Sequence, residues 1–356
     1  MTASINHEGK KLDRLCVAVI GAGKMGFLHS GIFNSFRDCR LVAICEKNST
    51  IVGILEQNLP KIRIFKDYHE MLENGGIDIV VVTTPVYLHR TMIESALSYG
   101  VNVFAEKPLA LSGIECRSLV ERVHSSKTMV GYCRRFMGTY KFVKNIIESE
   151  KLGCPIRFRS QLFVGQIFKK SKGWQYDISK SGGGVVMDLG SHAIDMFHFL
   201  FGSIRNVTAI GHHLYDRNIE DHASIALEFE NYLKGSLEVS WSMKDYRMPE
   251  LKIIVDFDHG SIIATEKYVD IFSNVDEGSI KKGHNIYYKQ QLAEKVSINI
   301  GGQEYTSEDR YFVQCVLDNK EPTCSFKEGA KTNAVIDSIY KSMKEKHVEK
   351  INYLSE

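Results

Sequence analysis

Cys16-Val17-Ala18-Val19-Ile20-Gly21-Ala22-Gly23-Lys24-Met25-Gly26 is the stretch that decides the fold. An apolar run from Cys16 to Ile20 ends on glycines spaced G-x-G-x-x-G, and a helical pattern follows from Lys24 to Phe36. Strand, glycine turn and helix in that order are the context in which this motif binds a dinucleotide. Gly21 permits the tight turn, Gly23 lets a pyrophosphate approach the backbone, and Gly26 lets helix and strand pack closely. The loop amides, with Lys24 and Met25 opening the helix, are placed to donate to the phosphates. Glu46 ends the next strand, where a carboxylate accepts both adenosine ribose hydroxyls and repels a 2′-phosphate. That favours NAD, while Lys47 beside it welcomes a 2′-phosphate and leaves NADP open.

Around this loop the pattern repeats. β-Branched runs at Leu41 to Cys45, Ile64 to Phe65, Ile79 to Thr83, Val101 to Ala105 and Met129 to Val130 alternate with helical stretches at Ile51 to Asn58, Thr91 to Tyr99 and Ile114 to Ser125. Short continuous apolar strands separated by helices predict an α/β, doubly wound parallel sheet of Rossmann type. The rhythm changes after Cys133. A helix from about Gly138 to Ser149 leads into period-two strands, with Ala223, Ile225, Leu227 and Phe229, then Leu237, Val239 and Trp241, then Leu251, Ile253, Val255 and Phe257 each on one face. That patterning predicts an α+β domain with a large, mostly antiparallel open sheet. Helices at about Ser307 to Leu317 and Lys327 to Lys346 follow. The expected division is a dinucleotide-binding domain over residues 1–132 and a substrate-binding and oligomerisation domain over 133–356. A chain of 356 residues agrees with two cores rather than one.

Composition narrows the partners. The 45 basic and 43 acidic residues leave a net charge of +2, so no electrostatic argument favours nucleic acid or a membrane surface. The eight cysteines contain no Cys-x-x-Cys pair, which speaks against a zinc knuckle and for buried, reduced thiols; no metal is expected. Residues 1–14 lack the apolar stretch of a signal peptide and no later run reaches the length of a membrane span, so the expected compartment is the cytoplasm.

Two constellations carry chemistry. Thr83-Thr84-Pro85 and Glu106-Lys107-Pro108 each end a buried strand, where ligands of open α/β sheets bind. The Lys107 ammonium can donate to a reacting oxygen and stabilise it as an alcohol loses its proton; an ion pair with Glu106 is its other use. The second is Gly182-Gly183-Gly184 followed by Asp188 and His192. The glycines permit close approach of another backbone or a ligand. Asp188 and His192, four apart on a helix, share one face, and an imidazole is a natural proton acceptor near neutrality. Asp195 and His198, further along, are expected to cap or pair within the helix.

The order Glu106-Lys107-Pro108, Gly182-Gly183-Gly184, Asp188-x-x-x-His192 resembles the Gfo/Idh/MocA oxidoreductases, and the likeness extends over nearly the whole chain through Thr84-Pro85 with His89 and the Tyr132-Cys133-Arg134-Arg135-Phe136 junction. The resemblance implies a Rossmann domain joined to an open-sheet domain, an active site in the cleft between them, and dimers or tetramers assembled through that sheet. It implies that Lys107 is the catalytic lysine, His192 the proton-transferring histidine and Asp188 its aspartate. Thr84, Pro85, His89 and Glu106 match cofactor-side positions, and the bond before Pro108 is expected to be cis. Glu46 departs from the usual aspartate, and Cys133 lies where an asparagine is common. The implied activity is hydride transfer between NAD(P) and a secondary alcohol of a sugar, inositol or nucleotide-sugar. A non-catalytic NAD(P)-binding regulator and an NADP-dependent ketone or imine reductase are the alternatives. Arg135, Trp174, Gln175, Tyr246 and Arg247 are candidates for the substrate side, with packing or solvent-facing roles as the other reading for each.

Overall fold

In the computed structural model, which describes residues 14–169, 172–216 and 218–353, the chain divides into two compact units. The first takes the chain up to Ala110 together with Glu115–Gly131 and Lys295–Lys327. The second takes Leu111–Ile114, Tyr132–Glu294 and the chain from Glu328 on. The expected break beside residue 132 thus has a counterpart, but residues 133–356 do not stay in one unit.

The first unit is built on β1 (Leu15–Ile20), β2 (Cys39–Cys45), β3 (Arg63–Phe65), β4 (Ile79–Val82), β5 (Asn102–Glu106) and β6 (Thr128–Gly131). They lie in the order β3-β2-β1-β4-β5-β6, and every pairing is parallel. Helices α1 (Lys24–Ser35), α2 (Ser49–Asn58), α3 (Tyr68–Glu73), α4 (His89–Ser98) and α5 (Gly113–Glu121) alternate with them. Val17 to Val19, Ile79 to Val82 and Val103 to Ala105 are completely buried. That burial is why these strands read as unbroken apolar runs. The Asn48 carboxamide caps α2 by accepting from the amides of Thr50 and Ile51.

In the second unit come α6 (Gly138–Glu148), β7 (Pro155–Phe163), α7 (Ile178–Ser181), α8 (Ser191–Phe201), β8 (Ile204–His212), β9 (His222–Phe229), β10 (Lys234–Ser240), β11 (Glu250–Phe257), β12 (Gly260–Ala264), β13 (Tyr268–Ser273), β14 (Gly283–Tyr288) and α9 (Lys289–Leu292). Next come α10 (Gln303–Leu317), which belongs to the first unit, α11 (Phe326–Glu345) and β15 (Glu349–Lys350). Among the described residues the sheet has nine strands in the order β14-β13-β12-β11-β7-β10-β9-β8-β15. Only the β7–β10 pairing is parallel. The inward residues of β9, β10 and β11 pack with apolar residues of α6, α8 and α11 in one core. Phe158 of β7 stacks on Phe201 of α8 with ring centroids 4.8 Å apart.

Candidate active site

In the first unit, the glycine loop joins β1 to α1. Gly21 has φ +96°, and a Cβ there would lie 2.8 Å from Thr84 Cγ2. A Cβ on Gly26 would meet the Gly21 carbonyl oxygen at 1.9 Å, so the helix start packs directly on the turn. Gly23 differs: a Cβ there would meet nothing within 4 Å, and no side chain caps the first amides of α1. Uncapped helix-start amides beside open space fit a diphosphate. Lys24 is exposed and Met25 half-buried on the first turn.

Glu46 follows β2. Its Oε2 accepts the Ala22 amide at 2.8 Å and its Oε1 the Asn48 amide at 2.8 Å. A carboxylate has further lone pairs for ribose hydroxyls, so the group is fixed against the loop without being saturated. Lys47 beside it is exposed.

At the end of β4, Thr83 Oγ1 donates to the Gly21 carbonyl at 2.7 Å and so ties this strand to the loop. Thr84 Oγ1 donates to Met92 Sδ, and Pro85 is half-buried. His89 is fully buried. Its Nε2 lies 2.8 Å from the Thr84 carbonyl and its Nδ1 3.0 Å from that of Pro108, so one ring spans the loops after β4 and β5. Burial lowers its pKa below the ordinary histidine value, against the backbone carbonyls of Thr84, Leu109 and Pro108, which raise it. His89 therefore sits inside the protein as a brace. Glu106 ends β5, Lys107 is half-buried, and the Lys107–Pro108 bond is cis.

In the second unit, the glycine triplet is closed by protein groups. A Cβ on Gly183 would lie 1.9 Å from the Tyr340 hydroxyl, and one on Gly184 would lie 2.0 Å from the Glu220 carbonyl oxygen. The buried Glu220 carboxylate accepts the amides of Gly184 at 3.1 Å and Val186 at 3.0 Å, and the Tyr340 hydroxyl at 2.8 Å. Of the two expected uses of these glycines, close approach of other protein groups is the one seen.

Asp188 lies in a π-helical turn, Val186–Gly190, and His192 in the first turn of α8. The expected uninterrupted α-helix is thus widened where Asp188 sits, a distortion common at functional sites. Asp188 Oδ2 accepts the Trp241 indole N–H at 3.1 Å, and the half-buried His192 ring lies edge-on to Tyr132 at 6.3 Å. Trp241 falls in the period-two pattern of its strand, and its buried indole N–H, which needs an acceptor, is the sequence signal for this contact.

Asp195 corrects an expectation. It pairs outside its helix, accepting from Arg135 Nε at 2.8 Å and Nη2 at 2.6 Å in a buried bidentate bridge. Arg135, read as a substrate-side candidate, is thereby held inside this unit. Burial drives His198 to a pKa of about 3, helped by Arg135 and Lys331, so it stays neutral. Trp174 is half-buried in a short 3₁₀ turn, and Gln175 and Arg247 are exposed. The Tyr246 hydroxyl accepts from Gln161 Nε2 at 2.8 Å.

Comparison with known proteins adds the family context. Residues 15–132 match the model described as an oxidoreductase family with an NAD-binding Rossmann fold, and residues 140–263 match the GFO/IDH/MocA C-terminal domain. The scyllo-inositol 2-dehydrogenase (NAD(+)) of Bacillus subtilis is 30% identical over 236 residues, covering 63% of this chain and 66% of that protein. The myo-inositol 2-dehydrogenase of Thermotoga maritima is 23% identical over 94% of this chain and 98% of its own. The chain spans 53 to 66% of the length of three of the curated relatives it matches. A levoglucosan dehydrogenase solved with NADH and levoglucosan superposes with a TM-score of 0.88 at 20% identity, covering 96% of this chain and 100% of that one, which is a likeness of fold.

Proposed function

Because the chain belongs to the Gfo/Idh/MocA family of oxidoreductases, whose amino-terminal part is an NAD-binding Rossmann fold, we propose that it is a dehydrogenase oxidising a secondary alcohol of a sugar, an inositol or a nucleotide-sugar, and reducing the matching ketone in reverse. The observation that carries this reading is the uncapped, open start of α1 at Gly23 beside the fixed Glu46 carboxylate. Names of the two inositol dehydrogenases support the polyol class of substrate. The dinucleotide supplies a hydride acceptor or donor. The amides of Gly23, Lys24 and Met25 hold its phosphates and Glu46 its adenosine ribose, which favours NAD over NADP.

The remaining chemistry falls to this chain's own side chains. His192 takes the proton of the substrate hydroxyl, and Asp188, held by the Trp241 N–H, orients His192 or binds a neighbouring hydroxyl. Lys107 donates to the reacting oxygen and stabilises the developing negative charge. Thr84, Pro85, His89 and Glu106 shape the cofactor side, His89 by bracing the two strand-end loops. Trp174, Gln175, Tyr246 and Arg247 serve the substrate, while Arg135 supports α8 through Asp195.

Dimers or tetramers assembled through the large sheet are the state proposed, with Phe272 and Ile286 exposed on the adjacent strands β13 and β14. No helix among the described residues is long and apolar enough to cross a membrane, and the cytoplasm is the compartment proposed.

The test is a panel of polyols, sugars and nucleotide-sugars assayed by nicotinamide absorbance with both cofactors. Lys107→Met and His192→Ala should each lower turnover by ~10² or more. Turnover close to that of the wild type in both variants defeats the assignment of roles. NADH binding with no hydride transfer to any substrate defeats the reading as an enzyme.

A further inference from the structure

Two fully buried ionisable residues of the first unit, His29 and Asp309, have no part in the chemistry proposed above. His29 lies on α1 and Asp309 on α10, far apart in sequence. His29 Nδ1 lies 2.9 Å from both Asp309 carboxylate oxygens, and its Nε2 lies 3.1 Å from Glu106 Oε1. Glu106 Oε2 accepts the backbone N–H of Lys107 at 3.1 Å. Both ring nitrogens thus face carboxyl groups, the arrangement in which an imidazolium donates to each.

The charged groups facing this ring are Asp309 from α10 and Glu106 from β5. Aromatic rings line other sides: Phe104 of β5 at 5.0 Å, Tyr305 of α10 at 6.4 Å and Phe33 of α1 at 6.5 Å. Burial alone would discharge the histidine; the two carboxylates, Asp309 foremost, outweigh it and hold its pKa well above the ordinary value. Inside such walls each charged hydrogen bond is strengthened, and the chain Asp309–His29–Glu106–Lys107 N–H has little freedom.

We propose that His29 and Asp309 are positioning residues: the imidazolium, anchored on α10, fixes the Glu106 carboxylate and through it the backbone of Lys107. The proposal rests on the oxygen-stabilising role given to Lys107 above. It also assigns α10 a working part, since that helix supplies the anchor.

Asp309→Asn tests it. The substitution keeps the shape of the side chain and removes the charge that holds His29 protonated. A raised histidine pKa means the charged contact is complete at low pH and is lost as pH rises through the folded value. Removing the Asp309 charge lowers that value, so the loss comes at lower pH than in the wild type. The full-length protein with NAD+ and its best alcohol substrate is followed from ~pH 6 to ~pH 9 by steady-state kinetics and amide and imidazole NMR. Wild-type His29 is expected to keep both ring nitrogens protonated at ~pH 7. Relative to the wild type, Asp309→Asn turnover should fall about tenfold as pH rises, with NADH affinity held within about twofold. The Lys107 amide resonance should move with the same midpoint. His29→Gln, which cannot ionise, should show the lowered turnover without that inflection.

A neutral wild-type ring near pH 7 overturns the proposal. So do folded variants whose turnover, pH profile and Lys107 amide match those of the wild type. If the wild type oxidises no alcohol, the functional reading fails, while ring protonation and the Lys107 amide still decide the positioning network.

Discussion

Tyr340→Phe tests how the second unit holds the turn that carries Asp188. The Tyr340 hydroxyl donates to Glu220 Oε1 at 2.8 Å and accepts the amides of Gly184 and Met187, each at 3.2 Å. The substitution deletes one oxygen and keeps the ring. It removes a hydrogen bond to a buried carboxyl group and leaves the Met187 amide without this acceptor. Together these cost about 2–4 kcal/mol, or roughly 4–16 °C in Tm for a unit of this size.

The loss has a sign with pH. Burial raises the Glu220 pKa, against the hydrogen bonds from Val186, Tyr340 and Gly184 that lower it. For an acid whose folded pKa lies above its unfolded value, the folded chain binds more protons between the two. Stability is then fullest below the unfolded pKa and falls as pH rises to the folded one. Deleting the Tyr340 donor raises the folded pKa further, so the deficit of the variant should be larger near ~pH 8 than near ~pH 5. Urea unfolding followed by tryptophan fluorescence reads this directly, since the two tryptophans of the chain, Trp174 and Trp241, both lie in the second unit. A deficit under ~0.5 kcal/mol, or one equal at both pH values, refutes the clamp.

Trp241→Phe removes the donor that holds Asp188; kcat should fall about tenfold with NADH affinity kept, and a wild-type kcat would show that Asp188 needs no such partner. Glu46→Ser removes the carboxylate that repels a 2′-phosphate; the ratio of NADH to NADPH affinity, measured by fluorescence titration, should drop by about tenfold or more, and an unchanged ratio would place cofactor selection elsewhere. Asp195→Asn breaks the buried bridge to Arg135 and should cost about 3–5 kcal/mol in urea unfolding, whereas a loss under about 1 kcal/mol would mean that the guanidinium finds another acceptor.

The first unit was legible because its signals are local. Each central strand is buried on both faces and shows as a β-branched run, and the glycine loop carries its own turn chemistry. In the second unit, β9, β10 and β11 were legible by period two. β14 was not, for none of its residues is fully buried; nor was β8, whose register shifts between Ile204 and Asn206. The membership of α10 was hidden because its buried face includes Glu304, Glu308 and Asp309, so no simple apolar stripe marks its packing surface. The π turn leaves no mark that spacing can read, since the same residues fit an α-helix. His29 carries no local signal, because its partner Asp309 lies 280 residues away.

These misses have a common cause. Both segments given a chemical role, the Glu106-Lys107-Pro108 turn and the widened turn at Asp188, sit where local propensity is weakest: a strand end before proline, and a helix start after three glycines. Neither conformation is held by its own backbone preferences. Each is held instead by a carboxyl group that accepts backbone amides, the half-buried Glu106 for Lys107 and the buried Glu220 for Gly184 and Val186. Each carboxyl group is in turn fixed by a donor from a distant helix: Glu106 by His29, itself anchored on α10, and Glu220 by Tyr340 of α11. A buried polar network of this kind specifies one geometry because partial satisfaction is so costly. Reactive groups that must be aimed are therefore expected to fail abruptly when such a helix is altered, and the helices carrying His29, Asp309 and Tyr340 should tolerate polar-to-apolar change less well than their distance in sequence from Lys107 and His192 suggests.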